Sequence, residues 1–356
     1  MSATLSLPPE LWIPILRYAT YHPQLPTTEH IPFNRDYAED ILQARHTFNL
    51  AVKRSVVLVC KTWYTLAIPM LWETVHVNSL AKAAQVFLSL QISEKATVTT
   101  PPQSPFGVLV RHLYASFTSS VGPFRSEKFA QFVCCIVERC PRLELLCHAG
   151  PRLIFSDALR TLSHFEGNCL GKLDLGKVDT CLDMFVWELL AGCLSRFTCL
   201  ETLILPLHNM TKFPPHVTSK LRSTSLRTLA LAPGTYELLL TKPDRWDFPN
   251  LEDLHLSYTY QWFRGFTINL SYVLSTVDAA IDDETDVLRA RVRSLDLLGL
   301  EAYTSHELQT LFALLAHFPN LHALRVQLMD MAAPLDVPAH FALQHVAVDV
   351  GLRGLC

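Results

Sequence analysis

A six-residue pattern recurs along most of the chain after residue 110, with apolar residues at its first, fourth and sixth positions. Its clearest copies begin at Leu200, Leu226, Leu251, Val292, Leu321 and Leu343. Weaker copies begin at Val110, Leu143 and Leu170. Because side chains alternate between the two faces of an extended strand, the fourth and sixth positions share one face. The pattern therefore predicts a series of short strands, each with one apolar face.

Two of the stretches between these strands have a helical pattern. In residues 304–318, Thr304 and Glu307 fit a capping box, and apolar residues recur on one side. In residues 183–197, Asp183 is suited to cap a helix with a similar apolar stripe. Strands that alternate with helices predict an α/β fold with a parallel sheet and helices on its outer side.

These units resemble leucine-rich repeats, which usually span about 20–29 residues. The resemblance implies a solenoid of parallel strands and outer helices over residues 79–356, in which each repeat packs on its neighbours. The chain departs from the family in its irregular spacing, and the asparagine or cysteine expected after the third leucine is missing. We expect a degenerate leucine-rich-repeat-like domain; the alternative is a set of unrelated strands in an ordinary α/β domain.

Two apolar segments, each with a tryptophan, precede the repeats. The first, LPPELWIPIL, has two prolines ahead of residues at helical spacing, and Pro14 lies inside the run. Because proline within a helix costs about 3 kcal/mol, we expect a separate turn over residues 9–11 and a helix that begins near Leu11. The second segment, residues 55–67, has apolar residues at helical spacing and predicts one helix.

Together, the two segments resemble the F-box, whose signature is Leu-Pro-x-Glu, an Ile-Leu pair and a Val-Cys-x-x-Trp helix. The matching residues are Leu7, Pro8, Glu10, Ile15, Leu16, Val59, Cys60 and Trp63. The resemblance implies a small three-helix domain, over residues 1–78, that binds the Skp-type adaptor of a cullin–RING ubiquitin ligase. We expect eight residues to form or directly support its apolar binding surface: Leu7, Pro8, Leu11, Ile15, Leu16, Val59, Cys60 and Trp63.

The two halves are separated by an insertion at about residues 22–54, far longer than the 2–8 residues typical of a helix–helix connection. Within it, residues 36–52 have apolar side chains at helical spacing and predict a further helix. We expect this helix to pack Ile41 and Phe48 against the neighbouring helices or the first repeat. The arrangement is similar to fungal F-box-like proteins, many of which carry such an insertion.

The N-terminal helices also have a plainer interpretation. The exposed end of a solenoid must be covered, and two amphipathic helices could serve as that cap. The argument for adaptor binding is that so short a unit cannot bury both Trp12 and Trp63, together with its leucines, within itself. An apolar patch left exposed marks an interaction site.

Charge and composition narrow the functional classes. The formal net charge is −3, so no strong field attracts nucleic acid or an anionic membrane. We interpret the short basic cluster of Arg289, Arg291 and Arg293 as a solvated edge. No apolar run approaches the ~20 residues of a membrane-spanning helix. Without a secretory signal, and with ten cysteines mostly in apolar segments, we expect a reducing location in the cytoplasm or nucleus.

The motifs of catalysis and cofactor binding are absent from the sequence. We find no glycine-rich phosphate loop and no GxSxG turn. The densest group of metal-ligand residue types comprises Cys134, Cys135, Cys140, Cys147 and His148, but it lacks paired C-x-x-C spacing. Buried structural cysteines explain it better than a zinc site. We therefore expect no catalytic residue, cofactor or metal.

These observations lead to one main functional hypothesis and one alternative. The main hypothesis is a non-enzymatic substrate receptor of an SCF-type ubiquitin ligase, which binds a Skp-type adaptor, and through it a cullin, at its N-terminus. The repeats would bind an unidentified protein target through outward strand positions, including Thr202, Thr228, Asp253, His255, Asp296, Arg325 and Asp349. The alternative is a leucine-rich-repeat scaffold without ligase association.

Overall fold

The computed structural model describes residues 8–20, 39–99, 104–117, 123–150, 152–164, 169–178, 184–205, 219–231, 245–256, 291–302, 315, 318–329 and 344–351. Its helices are α1 Pro9–Thr20, α2 Glu39–Val57, α3 Lys61–Glu73, α4 Leu80–Thr99, α5 Phe106–Leu109, α6 Pro123–Glu138, α7 Arg152–Ser163 and α8 Met184–Leu194. Of the predicted helix over 304–318, only Leu315 and Phe318 are described, and both are buried; the proline-bearing stretch of the insertion lies outside the described residues.

The described strands form one long sheet and one short one. The strands are β1 Thr74–Val77, β2 His112–Ser116, β3 Leu145–Gly150, β4 Lys172–Val178, β5 Thr202–Ile204, β6 Leu221–Arg222, β7 Thr228–Leu231, β8 Trp246–Asp247, β9 Asp253–Leu256, β10 Ser294–Ala302, β11 Ala323–Met329 and β12 His345–Gly351. The long sheet follows the order β1-β2-β3-β4-β5-β7-β9-β10-β11-β12, and β6 pairs with β8. All of these pairings are parallel, as the repeat predicted.

The register of the long sheet follows the six-residue pattern unit by unit. The third residue of each unit pairs with the third residue of the next, as in Thr202 with Thr228 and Thr228 with Asp253. The carbonyl of each second position accepts N–H groups from the next unit. The Arg111 carbonyl oxygen, for example, accepts from the N–H of Glu144 at 2.7 Å and of Leu145 at 3.0 Å. Each repeat is therefore locked to its neighbour at the edge where the strands begin.

The apolar positions of the pattern form one continuous core. The first and fourth positions of the described units are buried, from Val110 and Leu113 to Leu321 and Leu324. Of the leucines expected to share this core, Leu203, Leu205, Leu229, Leu231, Leu254 and Leu295 do so, whereas the side chains of Leu256 and Leu297 are outside the described set. Helices α4, α6, α7 and α8 pack in that order along the sheet. The leucine-rich-repeat-like α/β fold is confirmed.

The structure adds a repeat that the sequence analysis missed. Strand β1 pairs with β2 in the same register as the later strands, and the unit WETVHV starts at Trp72. Its apolar positions are Trp72, Val75 and Val77, and both valines are buried. The pattern was therefore present in the sequence, where its first two residues also form the end of helix α3.

Gly107 offers a sharp test of how closely the first repeat is packed. It lies in α5, and a Cβ atom added there would overlap the carbonyl oxygen of Arg139, which follows α6. Backbone atoms cannot rotate away, so Gly107→Ala should lower the free energy of unfolding by about 1–3 kcal/mol. Urea denaturation measures this loss.

Gly192 provides a matched control for this substitution. It lies in α8, and a methyl group added at this residue would meet no atom of the described residues within 4 Å. Gly192→Ala should therefore raise stability by about 0.5–1 kcal/mol through lower chain entropy. Equal effects of the two substitutions would contradict the packing described for Gly107.

Candidate partner-binding surface

The first three helices have a small core of their own. Leu16 from α1 is buried with Ala67 and Met70 from α3, and this cluster is separate from the core of the repeats. Half-buried apolar side chains complete it: Val56, Val57, Trp63 and Leu66. The ring centroids of Trp12 and Trp63 are 5.1 Å apart, which ties α1 to α3. The two tryptophans thus hold the helices together.

Helix α1 contains one proline at its start and another in its interior. It begins at Pro9, so the expected start near Leu11 is wrong, and Pro14 lies within it. The N–H groups of Leu11 and Trp12 donate to the Pro8 carbonyl oxygen, at 3.0 and 3.3 Å. Pro14 is exposed and loses one hydrogen bond, to the carbonyl of Glu10 in the first turn. That carbonyl lies near the helix end, where water can reach it.

The second segment is broken at residues 58–60, so the prediction of one helix over 55–67 is wrong. Helix α2 ends at Val57, and Cys60 caps α3 in an extended conformation, with φ −161° and ψ 170°. The N–H of Trp63 donates to the Cys60 sulfur at 3.5 Å. This turn shifts the helical phase, and it leaves Leu58 and Val59 exposed instead of on a continuous helical stripe.

Apolar side chains also face outward from α1. Leu11 is 50% exposed and Ile15 is 46% exposed, while Tyr18 is almost fully exposed. These three residues are spaced i, i+4 and i+7, so they lie on one side of the helix. We call these three residues the N-terminal apolar surface; Leu58 and Val59, in the turn between α2 and α3, are exposed as well. Tyr18 and Leu58 were missed in the sequence, although the helical spacing from Leu11 indicated Tyr18.

The structure separates the eight predicted site residues into supporting and outward-facing groups. Leu16 is buried and Trp63 is half-buried, so both support the small core. Five are exposed, and they are Pro8, Leu11, Ile15, Val59 and Cys60. Leu7 lies outside the described residues. The role of the exposed group in binding stays a prediction.

The helix expected within the insertion is present as α2, but one of its predicted contacts is wrong. Phe48 is 68% exposed instead of packed against neighbouring helices. Helix α2 continues to Val57, beyond the predicted end at residue 52, and this extension supplies Val56 and Val57 to the small core. These two valines, rather than Phe48, bind α2 to its neighbours. The side chain of Ile41 is outside the described set.

The outward strand positions are less open than expected. Thr202, Thr228 and His255 are buried. Neighbouring strands lie about 4.8 Å apart, so a short threonine in the middle of a row is shielded by the side chains in register on either side. The Thr228 hydroxyl donates to the Asp253 carboxylate at 3.3 Å. Burial raises the pKa of Asp253. The side chains of the other predicted outward residues, Asp296, Arg325 and Asp349, are outside the described set.

An aromatic pair lies at the start of the same face. The rings of His76 and Tyr114 stack with centroids 4.3 Å apart, and they occupy the fifth positions of the first two repeat units. Next to them, Thr74 Oγ1 is 3.3 Å from His112 Nδ1. Burial lowers the pKa of His112 below its ordinary value of 6.5, against the opposing charges of Glu73 and Glu144.

The lowered pKa of His112 predicts acid sensitivity. As pH falls through the ordinary value of 6.5, the unfolded chain takes up a proton at this residue before the folded chain does. The stability contribution is therefore complete above pH 6.5 and declines below it. His112→Gln, which keeps a partner for Thr74, should make the free energy of unfolding decline less steeply between about pH 7 and 5.5. Parallel pH profiles for the two proteins would contradict this.

The cysteines do not form a metal centre in the described part of the chain. No group of three or more His, Cys, Asp or Glu residues is arranged there to hold a metal ion. Cys140 and Cys193 are buried, and burial raises the pKa of Cys140 to about 12. That thiol therefore stays protonated and packs as a small apolar group.

None of the described helices is long and apolar enough to cross a membrane.

Comparisons with known proteins give a distant structural likeness only. Neither the models of known protein families nor the curated proteins contain a match. Among the solved structures that match is a chain of "Crystal structure of Rad7 and Elc1 complex in yeast", at 11% sequence identity and a TM-score of 0.29. The match covers 86% of this chain and 95% of that chain. The fold assignment therefore rests on this chain's own parallel strands, their register and their continuous leucine core.

Proposed function

We propose that this chain is the substrate-recognition subunit of an SCF-type cullin–RING ubiquitin ligase. Its N-terminal helices would bind a Skp-type adaptor, and its repeats would bind a target protein. The observation that carries the proposal is the N-terminal apolar surface, with Leu11 and Ile15 about half exposed on a helix whose other side is packed. The F-box-like sequence pattern over these helices supplies the identity of the partner.

The energetics favour a partner on this surface. Fully burying a leucine or isoleucine side chain contributes about 1.5–3 kcal/mol, and this unit leaves several such side chains in water. Its own core, around Leu16, Ala67 and Met70, is small. An adaptor that covers the N-terminal apolar surface would therefore add burial that the three helices cannot provide for themselves.

The proposed role requires no chemistry from this chain. The receptor would raise the local concentration of a target lysine near the ubiquitin-carrying enzyme, which belongs to other subunits. Such a ligase acts in the cytoplasm or nucleus, and we assign the chain to those compartments on that basis.

As part of the same proposal, the chain divides into an adaptor-binding domain, residues 1–78, and a repeat domain, residues 79–356. Two separate buried clusters, one in the helices and one in the repeats, support a division into two parts, although Val75 and Val77 of β1 belong to the core of the repeats. Helix α3 leads directly into β1, which pairs with β2, so the two parts are joined without a linker. Without a linker, a target bound to the repeats would stay close to the adaptor.

A scaffold without ligase association is the second candidate, and the junction itself favours it. Trp72, at the end of α3, packs against the core of the repeats and stacks on Phe106 with centroids 4.7 Å apart. Burial lowers the pKa of Lys53 in α2, and the nearby Glu73 opposes this shift. The helices thus also cover the first repeat, which a solenoid cap would do.

Direct binding distinguishes the two candidates. Full-length protein is titrated with a purified Skp-type adaptor in a calorimeter, and its stability is measured with and without the adaptor. The ligase proposal requires saturable binding at micromolar concentration and a higher melting temperature of the complex. Absence of binding at that concentration would leave the scaffold as the function.

A further inference from the structure

A row of charged side chains lines the edge at which the strands of the long sheet begin. The residues at the second positions of the repeat units alternate in charge, except at Gly171, which lies between two glutamates. In chain order these residues are Glu73, Arg111, Glu144, Gly171, Glu201, Arg227, Glu252, Arg293 and His322. Arg111 Nη1 lies 2.9 Å from Glu144 Oε1, within hydrogen-bonding distance. At the end of the row this alternation gives way to Arg293 and His322, so no carboxylate follows the last arginine.

A cleft opens at this end of the row. Its described lining residues are Pro249, Asn250, Leu251, Glu252, Arg291, Arg293, Asn320 and His322. They come from the turns that lead into β9, β10 and β11, which the parallel sheet places side by side. Two arginines, Arg291 and Arg293, lie two residues apart on the same approach to β10.

The guanidinium groups in this cleft retain unused hydrogen-bonding capacity. Arg293 Nη1 is 3.8 Å from Glu252 Oε1, much farther than in the Arg111–Glu144 pair, and its side chain is 62% exposed. So loose and exposed an ion pair holds its arginine weakly. Arg291 is exposed and has no ion-pair or hydrogen-bond partner within the described part of the chain.

The other polar groups of the cleft are held in place by the backbone. His322 Nδ1 lies 2.6 Å from the Asn320 carbonyl oxygen, and because a carbonyl only accepts, Nδ1 carries the proton and donates it. Asn250 Nδ2 donates to the Thr224 carbonyl oxygen at 2.6 Å. These bonds orient the side chains of Asn250 and His322 in the turns on either side of the two arginines.

We propose that this cleft binds an anionic group, a carboxylate or a phosphate, carried by a segment of another protein. A guanidinium offers a planar fork of donors that matches either group with two hydrogen bonds. Glu252 is the one carboxylate among the described lining residues, against two arginines. The exposure of Arg291 and Arg293 agrees with the interpretation of these arginines as a solvated edge, and the proposal adds a ligand for them. The proposed anion site does not depend on whether the N-terminal helices bind an adaptor.

A protein segment fits this cleft better than a nucleic acid. A polynucleotide binds through many phosphates along its length, which needs an extended basic surface. Here two arginines stand beside Glu252 in a row that also contains Glu201 and Glu144, on a chain with net charge −3. A single anionic side chain between neutral residues would meet the arginines without facing those carboxylates.

Peptide titrations with the full chain test the proposal. Three fluorescein-labelled peptides of one neutral sequence carry serine, phosphoserine or glutamate at the centre, and a single-stranded oligonucleotide serves as a fourth probe. Fluorescence anisotropy is recorded for the wild type, for Arg291→Gln/Arg293→Gln, and for Arg227→Gln as the control. Arg227 is exposed on the same edge but does not line the cleft. Melting temperatures confirm that the variants are folded.

The expected result is saturable binding of the phosphoserine or glutamate peptide and not of the serine peptide. The double variant should weaken it by about tenfold or more, and Arg227→Gln should change it by less than about twofold. A preference for one of the two anionic peptides shows whether the site binds a phosphate or a carboxylate. The proposal is overturned if neither anionic peptide binds at millimolar concentration, if the control weakens binding as much as the double variant, or if only the oligonucleotide binds.

Discussion

The double variant Leu11→Gln/Ile15→Gln should bind a Skp-type adaptor about a thousandfold more weakly than the wild type, with little change in melting temperature. Apolar anchors at the centre of an interface contribute about 2 kcal/mol or more each, and 1.4 kcal/mol corresponds to a factor of ten. Both side chains are about half exposed in the free chain, so the fold does not depend on their full burial. Glutamine has a high helix propensity, which preserves α1.

Helix α4 offers a closely matched control for this experiment. Leu88 and Ile92 have the same residue types and the same spacing, and they are 52% and 66% exposed. Leu88→Gln/Ile92→Gln should therefore leave adaptor binding and stability unchanged. Calorimetric titration gives the affinities, and circular dichroism gives the melting temperatures. If the α1 variant binds like the wild type, or if the α4 variant is equally impaired, the N-terminal apolar surface is not the adaptor site.

Leu254→Ala should lower the free energy of unfolding by about 2–5 kcal/mol, since it removes a buried side chain from the middle of the sheet and leaves a cavity. Leu254 is 1% exposed, in a strand flanked by β7 and β10. Its partners in register are Leu229 and Leu295, which are also buried. Because each repeat packs on its neighbours, the cavity should weaken the packing of β9 against both β7 and β10.

Urea denaturation followed by circular dichroism measures this loss. Leu88→Ala, on the exposed side of α4, is the control and should change stability by about 0.5 kcal/mol or less. A cost for Leu254→Ala as small as that of the control would mean that β9 does not lie within a continuous core. Coincident transitions at different wavelengths are needed for both proteins, because long repeat arrays can lose two-state behaviour.

Much of the candidate surface could be recognised from the sequence, but the roles of its residues could not. The pattern selected Leu11, Ile15 and Leu16 together, and only packing separates the buried Leu16 from the two outward side chains. A residue spacing describes the sides of one helix, whereas the side that is buried depends on the neighbouring helices. The break at residues 58–60 was invisible for a similar reason, because Val56 and Trp63 fit one continuous helical stripe.

The parallel repeat architecture follows from the local apolar pattern alone, because a period-two pattern has one buried face and recurring units must pack on one another. The same local signal placed Val110, Leu143 and Leu170 among the repeats despite their weaker pattern. Which polar groups meet depends instead on contacts between distant segments of the chain. Asn250, Arg291 and His322 are far apart along the chain, and they line one cleft because parallel strands bring successive turns to the same edge. Burial of Thr202 and Thr228 likewise depends on neighbours in adjacent strands, which no local pattern records.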